Sequence, residues 1–451
     1  MIDYEKNNLN VMSLPSNQPS LPEVHRSIEI PNQTGFWRKM LAYAGPGYLV
    51  SVGYMDPGNW ATDIAGGAAF GYALLTVILL SNLMAILLQS LCVRLGVATG
   101  RDLAQACRDY FPGKINFCLW ILCEIAIAAC DLAELLGSAI ALQLLFGLPL
   151  IWGVCITASD VLLLLLLQGK GFRYVEALVI TLVATVGICF AAEIIFSKPD
   201  LAGILQGYLP KPEVVRNPEM LYIAIAILGA TVMPHNLYLH SSIVQTRAWQ
   251  PTSTKRWEAI KFGTLDSTIA LSFALFINSA ILIVAAATFH FSGYQQVAEI
   301  QDAYKLLSPL LGVSVASAIF GIALLASGQS STLTATLAGQ IVMEGFLQFR
   351  LPPWVRRLAT RLLAMIPALI VIIVYGEKST GSLLIASQVV LSLQLSFAVI
   401  PLIMFTSDRR LMGEFVNPTW LKLLAGAVAT IIVGLNAWLL LQTFLGWLQL
   451  N

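Results

Sequence analysis

The chain has 451 residues, of which 57% are hydrophobic and 11% charged, with a formal net charge of +1. A water-soluble domain carries about 25% charged residues, so this composition excludes an ordinary soluble globule and makes a bilayer the solvent for most of the chain. Near-neutral charge without a basic stripe excludes a nucleic-acid partner. The seven cysteines, Cys92, Cys107, Cys118, Cys123, Cys130, Cys155 and Cys189, form no CxxC pair and lie mostly in apolar runs. They read as inert buried thiols rather than a disulfide framework or a thiolate metal site.

Residues 1–36 are polar and rich in Pro, Ser and Asn, without the basic start and short apolar core of a signal peptide. They are expected to be a disordered cytoplasmic tail. Apolar runs and their Gly, Pro and charge boundaries then predict eleven membrane spans. Their limits are 41–66, 70–95, 115–145, 150–168, 174–196, 219–247, 259–290, 308–347, 358–376, 380–405 and 420–447. Residues 37–405 form a transport core of ten spans, in inverted repeats at about 41–196 and 219–405, followed by a loop and span 11 over 406–451. With the N-terminus in the cytoplasm, all but five of the 26 Lys and Arg fall on the inner side; the exceptions are Lys198, Lys211, Arg216, Lys305 and Lys378. That asymmetry supports the span count and leaves the C-terminus outside. The location is a plasma membrane, the inner membrane in a bacterium.

Two spans are interrupted. Span 1 contains Gly53-Tyr54-Met55-Asp56-Pro57-Gly58-Asn59, and span 6 contains Gly229-Ala230-Thr231-Val232-Met233-Pro234-His235-Asn236. Proline has no N–H, so Pro57 leaves the carbonyl of Gly53 without its helical partner and Pro234 does the same to Ala230. The residue before each proline, Asp56 or Met233, is pushed out of helical angles. Unwound backbone at membrane depth survives only inside protein or along a cavity. Broken helices at matching positions in two halves point to a binding site at the membrane midplane.

The side chains at the breaks select the ligand. Asp56 offers a carboxylate, Asn59 an amide oxygen and Met233 a thioether. Hard ions such as Mg²⁺ and Ca²⁺ take all-oxygen shells; oxygen with thioether sulfur favours softer divalent ions such as Mn²⁺, Fe²⁺, Co²⁺ and Cd²⁺. Other polar groups lie at membrane depth. His235 follows the span 6 proline and titrates near neutral pH, which suits a proton relay as well as a hydrogen-bonded core histidine. Span 3 carries Glu124, Asp131 and Glu134, the last two on one helix face; they suggest a proton path or a pair with a cation such as Arg247. His240, Gln329 in the polar stretch of span 8, Asn278 in span 7 and Gln388 in span 10 are secondary candidates for lining a polar route.

These motifs resemble the Nramp family of divalent metal transporters over nearly the whole chain after the tail. The resemblance rests on Asp56-Pro57-Gly58-Asn59 and Met233-Pro234-His235, supported by Cys130-Asp131-Leu132-Ala133-Glu134 and Gly328-Gln329-Ser330-Ser331-Thr332. It implies an all-α LeuT-type fold, alternating access, and proton-coupled uptake of Mn²⁺ or Fe²⁺. It also implies metal ligation by Asp56, Asn59, Met233 and the carbonyls of Ala230 and residue 53, where the family often has alanine and this chain has Gly53. His235, Asp131, Glu134, Glu124 and Arg247 would form the proton route, with Arg356 or Arg357 at its end. Met233 argues against the magnesium-transporting branch, which lacks the methionine. Metal ions, protons and lipid are the expected partners, with no enzyme activity, no resident cofactor and no obligate protein partner. The competing readings are an amino-acid or sodium symporter of the same fold class, a polytopic membrane enzyme and a passive channel.

Overall fold

The computed structural model describes residues 12–13, 18–31, 35–157, 172–297, 299–376 and 379–450. A short helix α1 (Phe36–Tyr43) leads into α2 (Pro46–Gly53) and α3 (Pro57–Phe70), the two halves of span 1. A 3-10 turn joins α3 to α4 (Leu75–Thr99), and the loop that follows folds as α5 (Leu103–Tyr110). Next come α6 (Gly113–Phe146), α7 (Leu150–Thr157), α8 (Phe172–Ser197) and α9 (Leu201–Gly207). Span 6 is again two helices, α10 (Pro218–Thr231) and α11 (Pro234–Ile243). The rest of the chain forms α12 (Ser253–Ala285), α13 (Ile300–Leu311), α14 (Ala316–Leu347), α15 (Pro353–Tyr375), α16 (Thr380–Ser407) and α17 (Thr419–Leu450).

Local sequence explains the ends. Proline occupies the first turn of both halves of both broken spans, at Pro46, Pro57, Pro218 and Pro234, where its missing N–H costs nothing and its fixed φ suits a helix start. Gly100 and Gly147 end α4 and α6 in the left-handed region, at φ 67° and 69°, which glycine adopts without a Cβ penalty. Asp102 and Gln105 form a reciprocal capping box at the start of α5, and burial pushes the Asp102 carboxyl up to about 6.

Among the described residues, nine helical segments are long and apolar enough to cross a membrane. The expected eleven reduce to nine because the second half of span 1 runs on into span 2, as Pro57–Thr99, and because residues 158–168 of span 4 lie outside the described residues. One boundary needs correction. Residues 308–311 belong to α13, which ends at Gly312, so span 8 begins at Ala316 rather than 308.

Burial sorts the spans into core and rim. In the most apolar stretch of span 6, 94% of residues are buried, against 28% in span 5 and 22% in spans 9 and 11. Lipid-facing positions on the rim helices, such as Ile188, Leu363, Ile373 and Leu423, are correspondingly exposed and apolar. Spans 1 and 6 therefore form an inner pair. Spans 3 and 8 pack extensively on each other, and with spans 2, 7 and 10 they enclose that pair.

The N-terminal segment departs from expectation. Residues 18–31 are not a free tail: Ser20, Leu21 and Ile28 are buried. Two short strand pairs fasten the segment. β1 (Met12–Ser13) runs antiparallel to β4 (Phe349–Arg350), and β2 (Ile28–Glu29) runs parallel to β3 (Arg247–Ala248). The polar composition that suggested disorder hides two apolar anchors, Leu21 and Ile28, and the strand pairs take up part of the segment's backbone hydrogen bonding.

A candidate metal site between two broken helices

Each break places a cap residue at the start of its second helix. Asp56 is the N-cap of α3: its Oδ1 accepts from the Asn59 backbone N–H at 2.9 Å, while Oδ2 is buried without a partner. Met233 is the N-cap of α11 and is fully buried. Asn59 Oδ1 is likewise buried and unpartnered. A Cβ built on Gly53 would stand 3.2 Å from Met233 Sδ, so the two breaks meet at these residues. The same Cβ would run into the Asn236 amide. Gly53 thus leaves room for Asn236, the residue after His235, to lie across the unwound turn.

The carbonyls of that turn are unequally satisfied. Asn278 Nδ2 donates to Tyr54 O at 2.8 Å, and Ser327 Oγ donates to Met55 O at 2.6 Å. Trp60 Nε1 also reaches Met55 O, at 3.3 Å. Gly53 O, which proline denies an N–H, remains as a ligand-type oxygen, and Ala230 O is its counterpart in span 6. One carboxylate, one amide oxygen, one thioether and two carbonyls suit a divalent ion of intermediate softness. Buried polar atoms are normally paired, so the unpartnered oxygens on Asp56 and Asn59, in a break that meets Met233 Sδ at Gly53, have the character of cation donors. Among the described residues no three His, Cys, Asp or Glu gather as a metal cluster; a single carboxylate leaves a divalent ion incompletely neutralised, which permits release.

Close approaches hold the breaks in place. A Cβ on Gly137 would strike the Pro57 ring, and one on Gly229 would strike the Gln388 carbonyl. Glycine at these positions lets spans 3 and 10 press against the two unwound turns. Gln388 is fully buried over Gly58, with Oε1 unpartnered and Nε2 donating to Ser387 Oγ at 2.9 Å.

The other candidates fall into separate groups. His235 is buried with Nδ1 unpartnered, within electrostatic reach of Asp131, and Asp56 is within reach of Glu134. Thr332 Oγ1 donates to Glu134 Oε2 at 3.2 Å. Glu124 binds Arg356, whose Nη2 lies 2.9 Å from both carboxylate oxygens. The side chain of Arg357 lies outside the described residues. Arg361, counted in the sequence only as a positive-inside charge, is fully buried, 3.5 Å from Glu134 Oε2 and 3.1 Å from the Asp131 carbonyl. With the Arg356–Glu124 pair it places two ion pairs on the contact between spans 3 and 9, alongside Asp131. His240 belongs elsewhere: its Nδ1 meets Gln89 Oε1 at 2.9 Å, and Gln89 donates to Tyr54 OH at 2.7 Å, bracing the unwound turn of span 1 from span 2. Gln329 is half-buried and joins none of the described site contacts.

Arg247 requires a correction. It was one candidate cation for Asp131 and Glu134; the ion pair it forms is with Glu176 of span 5, at 2.7 Å and with both side chains 2% exposed or less. Arg247 also donates to Ala44 O and Thr246 Oγ1, and Asp266 accepts from the N–H groups of Gly45 and Gly47. Together they tie the arginine-bearing ends of spans 1, 5, 6 and 7 to one another. Glu176 and Asp266 were missed because each reads as a lone charge near a span end. The available signal was the pairing of Glu176 with Arg173 one turn earlier.

A helical bundle of membrane-length spans, two of them broken at buried proline-led turns that meet one another, defines a membrane transporter. The family model described as natural resistance-associated macrophage protein-like, Nramp, matches residues 47–442. The chain belongs to the Nramp family. It is 84% identical over 437 residues to the divalent metal cation transporter MntH of Nostoc sp., covering 97% of this chain and 99% of that relative. It is 62% identical to MntH of Listeria monocytogenes, over 95% of both chains. The crystal structure of an Eremococcus coleocola manganese transporter, 40% identical, superposes with a TM-score of 0.87 over 93% of this chain and 90% of that one. Mhp1, a nucleobase-cation-symport-1 family transporter, is 14% identical with a TM-score of 0.56, covering 94% of this chain and 95% of that one; this likeness concerns the fold alone.

Proposed function

We propose that the chain imports divalent transition-metal ions, Mn²⁺ and Fe²⁺ foremost, together with protons by alternating access. The observation that carries this reading is the meeting of two broken spans at Gly53 and Met233 Sδ, with Asp56 Oδ2 and Asn59 Oδ1 buried and without hydrogen-bond partners in the first of them. The names of its relatives, divalent metal cation and manganese transporters, support the cargo. An anionic Asp56 disfavours the carboxylate substrate of an amino-acid symporter.

The proton role rests on separation of charge. Asp131, Glu134 and Glu124 lead away from the metal along spans 3, 8 and 9, paired with Arg361 and Arg356, so a proton can leave by a path the ion does not share. His235 links this line to Met233 through adjacency in α11. The Arg247–Glu176 seal lies on the arginine-rich face, which we assign to the cytoplasm, with the C-terminus outside. The closed inner face and the broken spans together suit a site that opens alternately to the two sides.

The test is Mn²⁺ uptake into proteoliposomes with internal pH recorded at the same time. Saturable uptake with internal acidification is expected. Uptake without acidification removes the proton role of His235, Asp131 and Glu134. Absence of Mn²⁺ uptake by well-folded protein overturns the reading.

A further inference from the structure

The docked N-terminal segment contacts two groups of spans at once. At one end, the Gln18 carbonyl accepts from Gln105 Nε2 of α5 at 3.0 Å, and the Leu21 N–H donates to Glu344 Oε2 at the end of span 8 at 2.9 Å. Glu23 pairs with Arg350 at 2.5 Å. At the other end, the Arg26 N–H donates to Gln245 O at 3.0 Å, and β2 lies along Arg247 and Ala248 at the end of span 6. Leu21 and Arg26 adopt φ of 53°, an unfavourable region for residues with a Cβ. Such backbone persists only where surrounding contacts over-determine it.

The partners at both ends matter to the inner seal. Glu344 is buried, and its Oε1 already receives Gln340 and Arg350, so the segment supplies the partner of its second oxygen. Arg247 is the residue whose side chain closes on Glu176 and Ala44, and β2 fixes its backbone. The segment therefore spans from the ends of α5 and α14 to the end of α11.

We infer that this face of the protein is a docking surface for its own N-terminal residues 18–31, which act as an inner latch tying the end of span 6 to the end of span 8. The latch rests on the alternating-access reading above: those ends cannot separate while both sets of contacts hold, so the segment undocks from one side before the site opens inward. Tight burial of Leu21 in the closed state makes it the pin of the latch.

The test uses a Ser51→Cys reporter, because Ser51 is fully buried in α2, the inner half of span 1. Labelling by a membrane-impermeant thiol reagent is followed in vesicles exposing the arginine-rich face, against the parent chain with its own cysteines. Deletion of residues 1–31, and separately Leu21→Asp in the full chain, are expected to raise the labelling rate at least about tenfold, the scale of one buried leucine side chain. Arg247→Met in the same background shows whether the reporter senses inner opening at all. If Arg247→Met raises labelling and neither latch variant does, the latch is overturned while alternating access stands. If no variant labels, both are overturned. Should the deletion fold poorly, Leu21→Asp alone decides, since it alters one side chain.

Discussion

Replacing Arg247 with methionine should open the inner face, and the structure sets the scale. Its guanidinium pairs with Glu176 at 2.7 Å with both side chains almost completely buried, and it also donates to Ala44 O and Thr246 Oγ1. Removing one partner of a buried ion pair costs about 3–5 kcal/mol, chiefly because the other charge is left uncompensated. Here Glu176 keeps Arg173, 3.0 Å away, but that side chain is 44% exposed, so its compensation is screened. The low end, about 3 kcal/mol, is the appropriate figure. It falls on the closed arrangement alone, so the closed-to-open ratio should drop about a hundredfold. The assay is labelling of a Ser51→Cys reporter from the arginine-rich face. Arg247→Met with Glu176→Gln should recover most of the loss, because neither charge is then buried alone. A change below about threefold in the single variant, or a double variant equal to the sum of the singles, would refute the reasoning.

Four further outcomes follow from the geometry. Met233→Ala should weaken Cd²⁺ relative to Ca²⁺ by more than about tenfold, since the thioether is the one soft donor; competition in Mn²⁺ uptake checks it. Arg361→Leu should destabilise the protein by about 3 kcal/mol or more and slow proton entry, and Glu134→Gln in the same chain should restore stability; thermal unfolding and internal pH read the two effects. Gly137→Ala should cost about 1–3 kcal/mol and impair uptake by pressing a methyl group against the Pro57 ring, whereas Gly426→Ala, with open space around it, should be silent. Burial, and then Arg26, push the His25 imidazole below its ordinary 6.5. The docked segment therefore binds fewer protons than the free one, so docking is intact above about pH 6.5 and weakens as pH falls below it. Reporter labelling at pH 7.5 and 5.5, with His25→Gln as the pH-insensitive control, measures this.

The spans and both breaks were legible because proline and glycine inside apolar runs have direct backbone consequences at Pro57 and Pro234. Asp56 and Met233 stood out because an intramembrane carboxylate and a thioether beside a helix break have few other uses. Charge partners were not legible. Arg247 pairs with Glu176, 71 residues away, and Arg361 with Glu134, 227 positions back in the chain, and no local pattern encodes such contacts. Arg361 also looked like a span-end arginine, although it projects inward. The ordered segment 18–31 was hidden because its anchors, Leu21 and Ile28, are two isolated apolar residues in a polar stretch, without helical or strand periodicity. Asn236 was passed over because its position across Gly53 follows from how two distant breaks meet.

The most direct test of the central claim is X-ray absorption at the metal edge of protein loaded with Mn²⁺ or Cd²⁺, for the native chain and for Met233→Ala. The arrangement of Asp56, Asn59, Met233 and the two carbonyls predicts an oxygen shell with one sulfur neighbour, and loss of that sulfur in the variant while the oxygen shell persists. An all-oxygen shell in the native protein, or a sulfur that survives Met233→Ala, would contradict it.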